Sequence, residues 1–275
     1  VDSDGMVLIP QLISEIRPDT GLITIMYANN EIGTIEPIRE IGEIARRNGI
    51  LFHTDAVQAV GHIPVDVVRD NIDMLSLSGH KFGAQKGIGA IYIKKGIRPS
   101  PLLHGGGHER GLRSGTENVP AIVGMGVAAE IARRDMAKNM DHLTKMRERL
   151  FEKLSVIPYL RITGSRTERL PGMVSICIEA CEGEALLLNM AQKGICVSSG
   201  SACTSGSLDP SHVLLAIGLP HHIAHGSMRI SLDESITEQE VDYIAESIIE
   251  IADRIRNMSP VWENGAPRWT NTEET

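Results

Sequence analysis

Lys81 is the residue of this sequence best suited to covalent chemistry. It closes the run Ser78-Gly79-His80-Lys81, directly after the apolar segment 74–77, and Gly83, Gly87 and Gly89 follow closely. A lysine on a short, glycine-flanked loop at a strand end can hold its amine in a cleft, where desolvation and neighbouring charge lower its pKa toward Schiff-base chemistry. Taken alone, it suits a solvated surface lysine better, because most lysines are exposed. The run His53-Thr54-Asp55-Ala56-Val57-Gln58 changes that balance, since it too follows an apolar strand-length segment. In a parallel sheet Asp55 would leave the same edge as Lys81, where such folds bind ligands. A lysine and a carboxylate facing one crevice are the pair required by pyridoxal 5′-phosphate: the amine bonds its aldehyde and the acid keeps its ring nitrogen protonated. Gln58 is then a candidate partner for the ring hydroxyl. Asp55 also has a simpler reading, as a helix N-cap.

Two further loops carry reactive groups. Residues 104–111 (HGGGHERG), followed by Arg113, Ser114, Gly115 and Thr116, combine exposed backbone N–H groups, two arginines and hydroxyls, which suits an anion such as a phosphate. The segment 198–206 (SSGSACTSG) surrounds Cys203 with small polar residues, so an exposed, mobile loop is expected, and an accessible thiol there can ionise and attack. The other cysteines, Cys177, Cys181 and Cys196, complete a C-x3-C-x14-C-x6-C series without the paired C-x2-C clips of common zinc sites. Cys177, between Ile176 and Ile178, reads as strand core, and Cys196 is expected to be structural as well.

The elements that must position these residues alternate. Residues 22–28 (LITIMYA) have strand character, and Ile38, Ile41, Ile44 and Ala45 mark a helix that Asn48-Gly49 would end. A strand at 51–53, a short helix after Pro64, and strands at 74–77 and 89–93 continue the alternation, which predicts a mostly parallel sheet covered on both faces. Residues 117–155 are helix-forming, with a break expected near Asp135. Beyond them come strands at 161–163, 173–178 and 228–231 and a helix over 182–193. A last helix opens with a Thr237/Glu240 capping box and buries Val241, Ile244, Ala245, Ile248 and Ile255. The domain division expected is 1–134, 135–263 and a tail, 264–275, without regular structure. His221, His222 and His225 read as a surface turn rather than metal ligands.

Composition narrows the function classes. The 27 Lys and Arg against 35 Asp and Glu leave a net charge of −8, so no broad basic field exists to attract nucleic acid or an anionic membrane. The longest uncharged apolar stretch, 119–129, is far below the roughly 18 residues of a membrane span. No basic-then-apolar leader opens the 275 residues, so a cytoplasmic location is expected, and disulfides are not. A dinucleotide-binding oxidoreductase is disfavoured, because no glycine-rich fingerprint follows the first strand.

Taken together, NNEIG at 29–33, HTDAVQ at 53–58, SGHK at 78–81, GGGHERGLRSGTEN at 105–118 and SSGSACTSG at 198–206 closely resemble the NifS/IscS-type cysteine desulfurases of the class-V aminotransferases. The motifs occur in the family's order and cover nearly the whole chain. The stretches SLDPSHVLLAIGLP, AHGSMRISL and SPVWENGAPR look more like the nitrogen-fixation branch than the housekeeping one. The resemblance implies a fold-type I pyridoxal-phosphate enzyme of α/β class, with a mostly parallel large domain and a smaller α+β C-terminal domain. It also implies a homodimer that takes sulfur from L-cysteine, leaves L-alanine and passes the sulfur to an iron–sulfur scaffold or other acceptor protein.

Carried onto this sequence, the resemblance makes Lys81 the Schiff-base lysine, Asp55 the partner of the ring nitrogen and Gln58 that of the ring hydroxyl. Ser78, Gly79 and His80 would bind phosphate, with Thr116 reaching the phosphate in the other subunit. Asn30 would contact the cofactor and, with Arg229, hold the substrate carboxylate, Arg229 through a two-point fork. Cys203 would be the nucleophile and persulfide carrier, and through that persulfide the contact to iron in cluster assembly. Members of the family also carry a segment ahead of the region matching Val1, with a phosphate cradle and a ring-stacking histidine, and the present residues read as the C-terminal two-thirds of such a protein. Selenocysteine lyase and a non-catalytic fragment retaining dimerisation and docking surfaces are the alternatives.

Overall fold

A computed structural model describes residues 1–199 and 210–271. The chain forms two compact units, one made of Ile9–Ala28 and Glu36–Ala137, the other of Val1–Leu8, Asn29–Ile35 and Lys138–Thr275. The first contains α1 (Ile9–Ser14), β1 (Leu22–Met26), α2 (Ile38–Arg47), β2 (Leu51–Asp55), β3 (Met74–Ser78) and β4 (Gly89–Ile93). It also contains the start of α3 (Val119–Leu154). The sheet order is β1-β2-β3-β4, with β1/β2 and β2/β3 parallel and β3/β4 antiparallel.

Period-2 alternation sorts these strands into two faces. Ile23, Phe52, Thr54 and Leu75 are buried on one. The other carries Leu22, Met26, Leu51 and Ile91, all exposed among the described residues. Isoleucines 38, 41 and 44 and Ala45 form the buried side of α2, which stops at Asn48 with Gly49 at φ +67°. The helix expected after Pro64 is a single turn: Asp66 accepts from the N–H groups of Val68 and Arg69, but Asn71 at φ 55° turns the chain away before a second turn forms. Nor does the helix break expected near Asp135 occur. The neighbours are good helix formers, Arg134 forks onto Asp135 at 2.8 and 2.7 Å, and one interior aspartate costs less than about 0.7 kcal/mol against alanine.

In the second unit, the antiparallel sheet β5 (Leu160–Ile162), β6 (Met173–Ile178) and β7 (Ser227–Ser231) packs with α4 (Gly183–Gln192), α5 (His212–Ala216), α6 (His221–Ala224) and α7 (Glu238–Met258). Every residue of β6 is buried, and Val174, Ile176 and Ile178 share one core with Leu150, Leu186 and Ile248. The capping box of α7 is formed, and its predicted apolar positions are all buried. Residues 264–271 differ from the expectation of an unstructured tail. β8 (Trp262–Glu263) and β9 (Ala266–Pro267) form a hairpin, and a 3-10 turn follows at Arg268–Asn271. Its anchor is Trp269, whose indole N–H donates at 2.8 Å to the buried Glu179 carboxylate, which also accepts from Arg161 at 2.7 Å. Among the described residues no helix is long and apolar enough to cross a membrane.

Candidate active site

Asp55 ends β2, and β3 runs beside it in parallel, with Asp55 in register with Ser76. Alternation puts His53, Asp55, Ser76 and Ser78 on the same face of the sheet. The chain leaves β3 through a 3-10 turn, Gly79–Lys81, that delivers Lys81 beyond the C-terminal end of the strand. This is the sheet edge at which parallel α/β folds bind ligands.

The turn is held tightly. Gly79 donates its N–H to the Ile88 carbonyl at 2.9 Å, and a Cβ there would lie 2.9 Å from Ile88 Cγ2 and 3.0 Å from Ala84 Cβ. The glycine of SGHK is therefore a requirement for space, with its amide already engaged. Ser78 Oγ and His80 Nδ1 are 2.8 Å apart, and the Lys81 carbonyl lies 2.8 Å from His62 Nε2. The main chain at Lys81 is thus held by its neighbours, while no hydrogen bond or ion pair among the described residues engages its ammonium group. One oxygen of Asp55 accepts from Val57 N–H at 2.9 Å, the local cap-like contact foreseen for it, and Gln58 follows in the next turn. This donor set fits pyridoxal phosphate: an uncommitted amine for the aldehyde, a carboxylate for the ring nitrogen, and a hydroxyl–imidazole pair for phosphate oxygens.

His53 is a residue that motif reading left without a role. Its Nδ1 lies 2.7 Å from Thr24 Oγ1 and its Nε2 2.9 Å from Ser76 Oγ, so one imidazole ties β1, β2 and β3 together two residues before Asp55. Its place inside HTDAVQ was the only signal available in the sequence.

In the 104–118 loop, Glu109, Arg110 and Gly111 are all left-handed, at φ 48°, 58° and 82°. Ser114 Oγ donates to the Leu103 carbonyl at 3.1 Å, Gly115 N–H donates to His108 Nδ1, and Thr116 is exposed. Arg110 and Arg113 pair with no carboxylate among the described residues, which leaves both available to an anion.

The substrate-carboxylate candidates lie in the other unit and meet there. NNEIG is a tight loop: Asn29 Oδ1 accepts from the N–H groups of Glu31 and Ile32, Gly33 N–H returns to the Asn29 carbonyl, and Gly33 sits at φ +79° against Met173. The Asn30 carbonyl accepts from Arg229 Nη1 at 2.8 Å. Arg229 projects from β7, and its buried Nε has no hydrogen-bond partner among the described residues. A guanidinium fixed at one corner and unpartnered at another suits a carboxylate ligand. Cys203 lies outside the described residues. Of the remaining thiols, Cys177 is buried as expected and Cys181 is buried too, whereas Cys196 is exposed and not core filling. Burial pushes the Cys177 thiol up to about 12 and the Cys181 thiol to about 11, which keeps both protonated at neutral pH.

The sequence model of the class-V aminotransferases matches residues 1–244. Cysteine desulfurase IscS of Methanosarcina thermophila is 55% identical over 261 residues, covering 95% of this chain and 65% of that protein. Cysteine desulfurase IscS of Clostridium botulinum (strain Hall) is 49% identical over 267 residues, 96% of this chain and 67% of that one. A solved NifS-like protein superimposes with a TM-score of 0.85 at 40% identity, over 92% of this chain and 67% of its own. The chain thus spans about two thirds of the length of the relatives it matches. Family match, identity and fold agree with one another: the chain belongs to the pyridoxal-phosphate-dependent class-V aminotransferase family, among the relatives named cysteine desulfurases.

Proposed function

We propose that this chain carries the residues with which a cysteine desulfurase takes sulfur from L-cysteine, releasing L-alanine. The observation that carries this reading is the Gly79–Lys81 turn, which presents an amine without a partner among the described residues just past the parallel strand next to the one ending in Asp55. Pyridoxal phosphate, when bound, would supply the electron sink that makes the substrate α-proton removable. Lys81 would hold the cofactor and then carry that proton at Nζ, Asp55 would keep a positive charge on the ring nitrogen, and Gln58 would bond the ring hydroxyl. Ser78, His80 and the partner-directed Thr116 would neutralise phosphate, with Gly79 giving the turn its room. Asn30 and Arg229 would orient L-cysteine by its carboxylate. The Cys203 thiolate would attack the substrate sulfur; the S–S bond forms as the substrate C–S bond breaks, and the carbon skeleton leaves as alanine.

Dimerisation is part of the same proposal. Val119, Val123, Val127 and Ile131 form an exposed stripe at i, i+4 spacing along α3, three residues after Thr116. The persulfide on Cys203 is proposed to serve an iron–sulfur scaffold, with cluster iron meeting the chain only at that sulfur.

Loading the protein with pyridoxal phosphate, reducing with borohydride and mapping peptides should place the label on Lys81. Adding L-cysteine to unreduced protein should put one extra sulfur on Cys203, with alanine released, and Cys203→Ala should retain cofactor yet gain no sulfur. Absence of label at Lys81, or sulfur gained elsewhere, would overturn the reading. Selenocysteine in place of cysteine distinguishes a lyase.

A further inference from the structure

Glu31 is a buried carboxylate that the reaction as proposed does not use. It is 6% exposed, and its Oε2 lies 2.5 Å from Ser211 Oγ, itself 4% exposed. Burial raises the Glu31 carboxyl above its usual range, opposed by the Ser211 hydrogen bond and the charges of His212 and Arg229. An acid kept in such a place against its desolvation cost is held there by a specific bond.

The position of that bond gives it meaning. Ser211 donates to Glu31 while its Oγ accepts from Val213 N–H at 3.1 Å, so it also caps α5. It is therefore the C-terminal anchor of the stretch leading back to Cys203, eight residues earlier in the sequence. The N-terminal anchor is Ser198, which exchanges two main-chain hydrogen bonds with Arg229 at 3.0 and 2.7 Å. Arg229 in turn donates to the Asn30 carbonyl. The described residues flanking the cysteine-bearing segment are thus held at Ser198 by the main chain of Arg229 and at Ser211 by Glu31, and Ile32, next to Glu31, packs with Leu214 of α5.

We infer that Glu31 is a positioning residue for sulfur transfer: through Ser211 it fixes one end of the Cys203 segment to the loop whose neighbouring residue fixes Arg229. This rests on the desulfurase reading for its consequence, though not for its geometry. It predicts an effect on delivery of the Cys203 thiolate and little on substrate binding, because Arg229 and Asn30 keep their own contact.

The test uses Glu31→Ala, Ser211→Ala, the double variant, and the conservative Glu31→Gln and Ser211→Thr, which keep an acceptor and a hydroxyl. In the cofactor-loaded protein, each alanine variant should slow persulfide formation on Cys203 about tenfold, a loss typical of a misplaced reacting group, while KM for L-cysteine stays within about twofold. The double variant should be no slower than the worse single one, and the conservative variants should recover most of the rate. Hydrogen exchange in residues 211–214 should quicken in the alanine variants whether or not sulfur is transferred. Unchanged exchange there overturns the inference, as does an unchanged persulfide rate, or a KM that rises in step with the loss. A wild-type protein that takes up no sulfur overturns the desulfurase reading instead, leaving the exchange result to decide the anchor.

Discussion

Arg229 on β7 donates from Nη1 to the main-chain oxygen of Asn30 at 2.8 Å, a contact between residues 199 positions apart. It joins a guanidinium to the loop that also holds Glu31, and leaves Nε buried without a partner among the described residues. Lysine at this position keeps the charge but loses the planar fork. Arg229→Lys should raise KM for L-cysteine about 10- to 100-fold, the scale of a charge-assisted hydrogen bond worth roughly 1.5–3 kcal/mol. The main-chain pairing with Ser198 does not depend on the side chain, so the unfolding midpoint should move little. Steady-state kinetics alongside urea denaturation would check both halves, and an unchanged KM would remove Arg229 from the substrate site.

Gly79 offers a steric test of the lysine turn. A methyl there meets Ile88 and Ala84 at 2.9 and 3.0 Å, and overpacking of this kind costs about 1–3 kcal/mol. Gly79→Ala should lower the urea midpoint and weaken pyridoxal-phosphate binding in a spectroscopic titration. Adding Ala84→Gly, which removes one of the opposing carbons, should recover part of both. Wild-type cofactor affinity in the single variant would show that the turn's geometry does not matter to the site.

The thiols should divide by burial. With Cys177 raised to about 12 and Cys181 to about 11, neither is ionised or reachable at pH 8, whereas Cys196 is exposed. Iodoacetamide on the native protein should label Cys196, while Cys177 and Cys181 react more than about a hundredfold slower than in urea. Peptide mass mapping with and without denaturant reads this directly.

Acid stability provides a further check on the second unit. The hydrogen bond from Arg149, with help from Lys153, holds the Asp242 carboxyl at about 2, below its ordinary 3.8. A carboxyl whose folded-state pKa is depressed adds stability that is present above the unfolded value and lost as pH falls through the folded one. Melting temperature should therefore fall between pH 4 and pH 2, and Asp242→Asn should flatten that part of the profile while lowering stability at pH 6. Parallel profiles for the two proteins would contradict the pairing.

Much of the fold was legible because it is written in local signals. The α2 stripe, the Asn48-Gly49 stop, the α7 capping box and the β6 run depend on hydrogen bonds and burial patterns spanning a few residues, and each forms where the pattern indicates. The short helix expected after Pro64 comes to one turn, because the local cap at Asp66 starts a turn that Asn71 ends. The break near Asp135 was overcalled because one poor helix former was weighed without its good neighbours.

By itself, the sequence determined the chemical inventory of the candidate site: a lysine after a strand, an acid after another, the glycines around that lysine, and the family to which their order belongs. The tertiary structure alone decided which partners those groups have. Glu31 meets Ser211 across 180 positions, His53 bridges two strands through hydroxyls, and Trp269 secures the C-terminal hairpin on Glu179. Local periodicity reports the free energy of a residue's own turn or strand, whereas these contacts depend on where the chain returns after long excursions, which no short window of residues encodes.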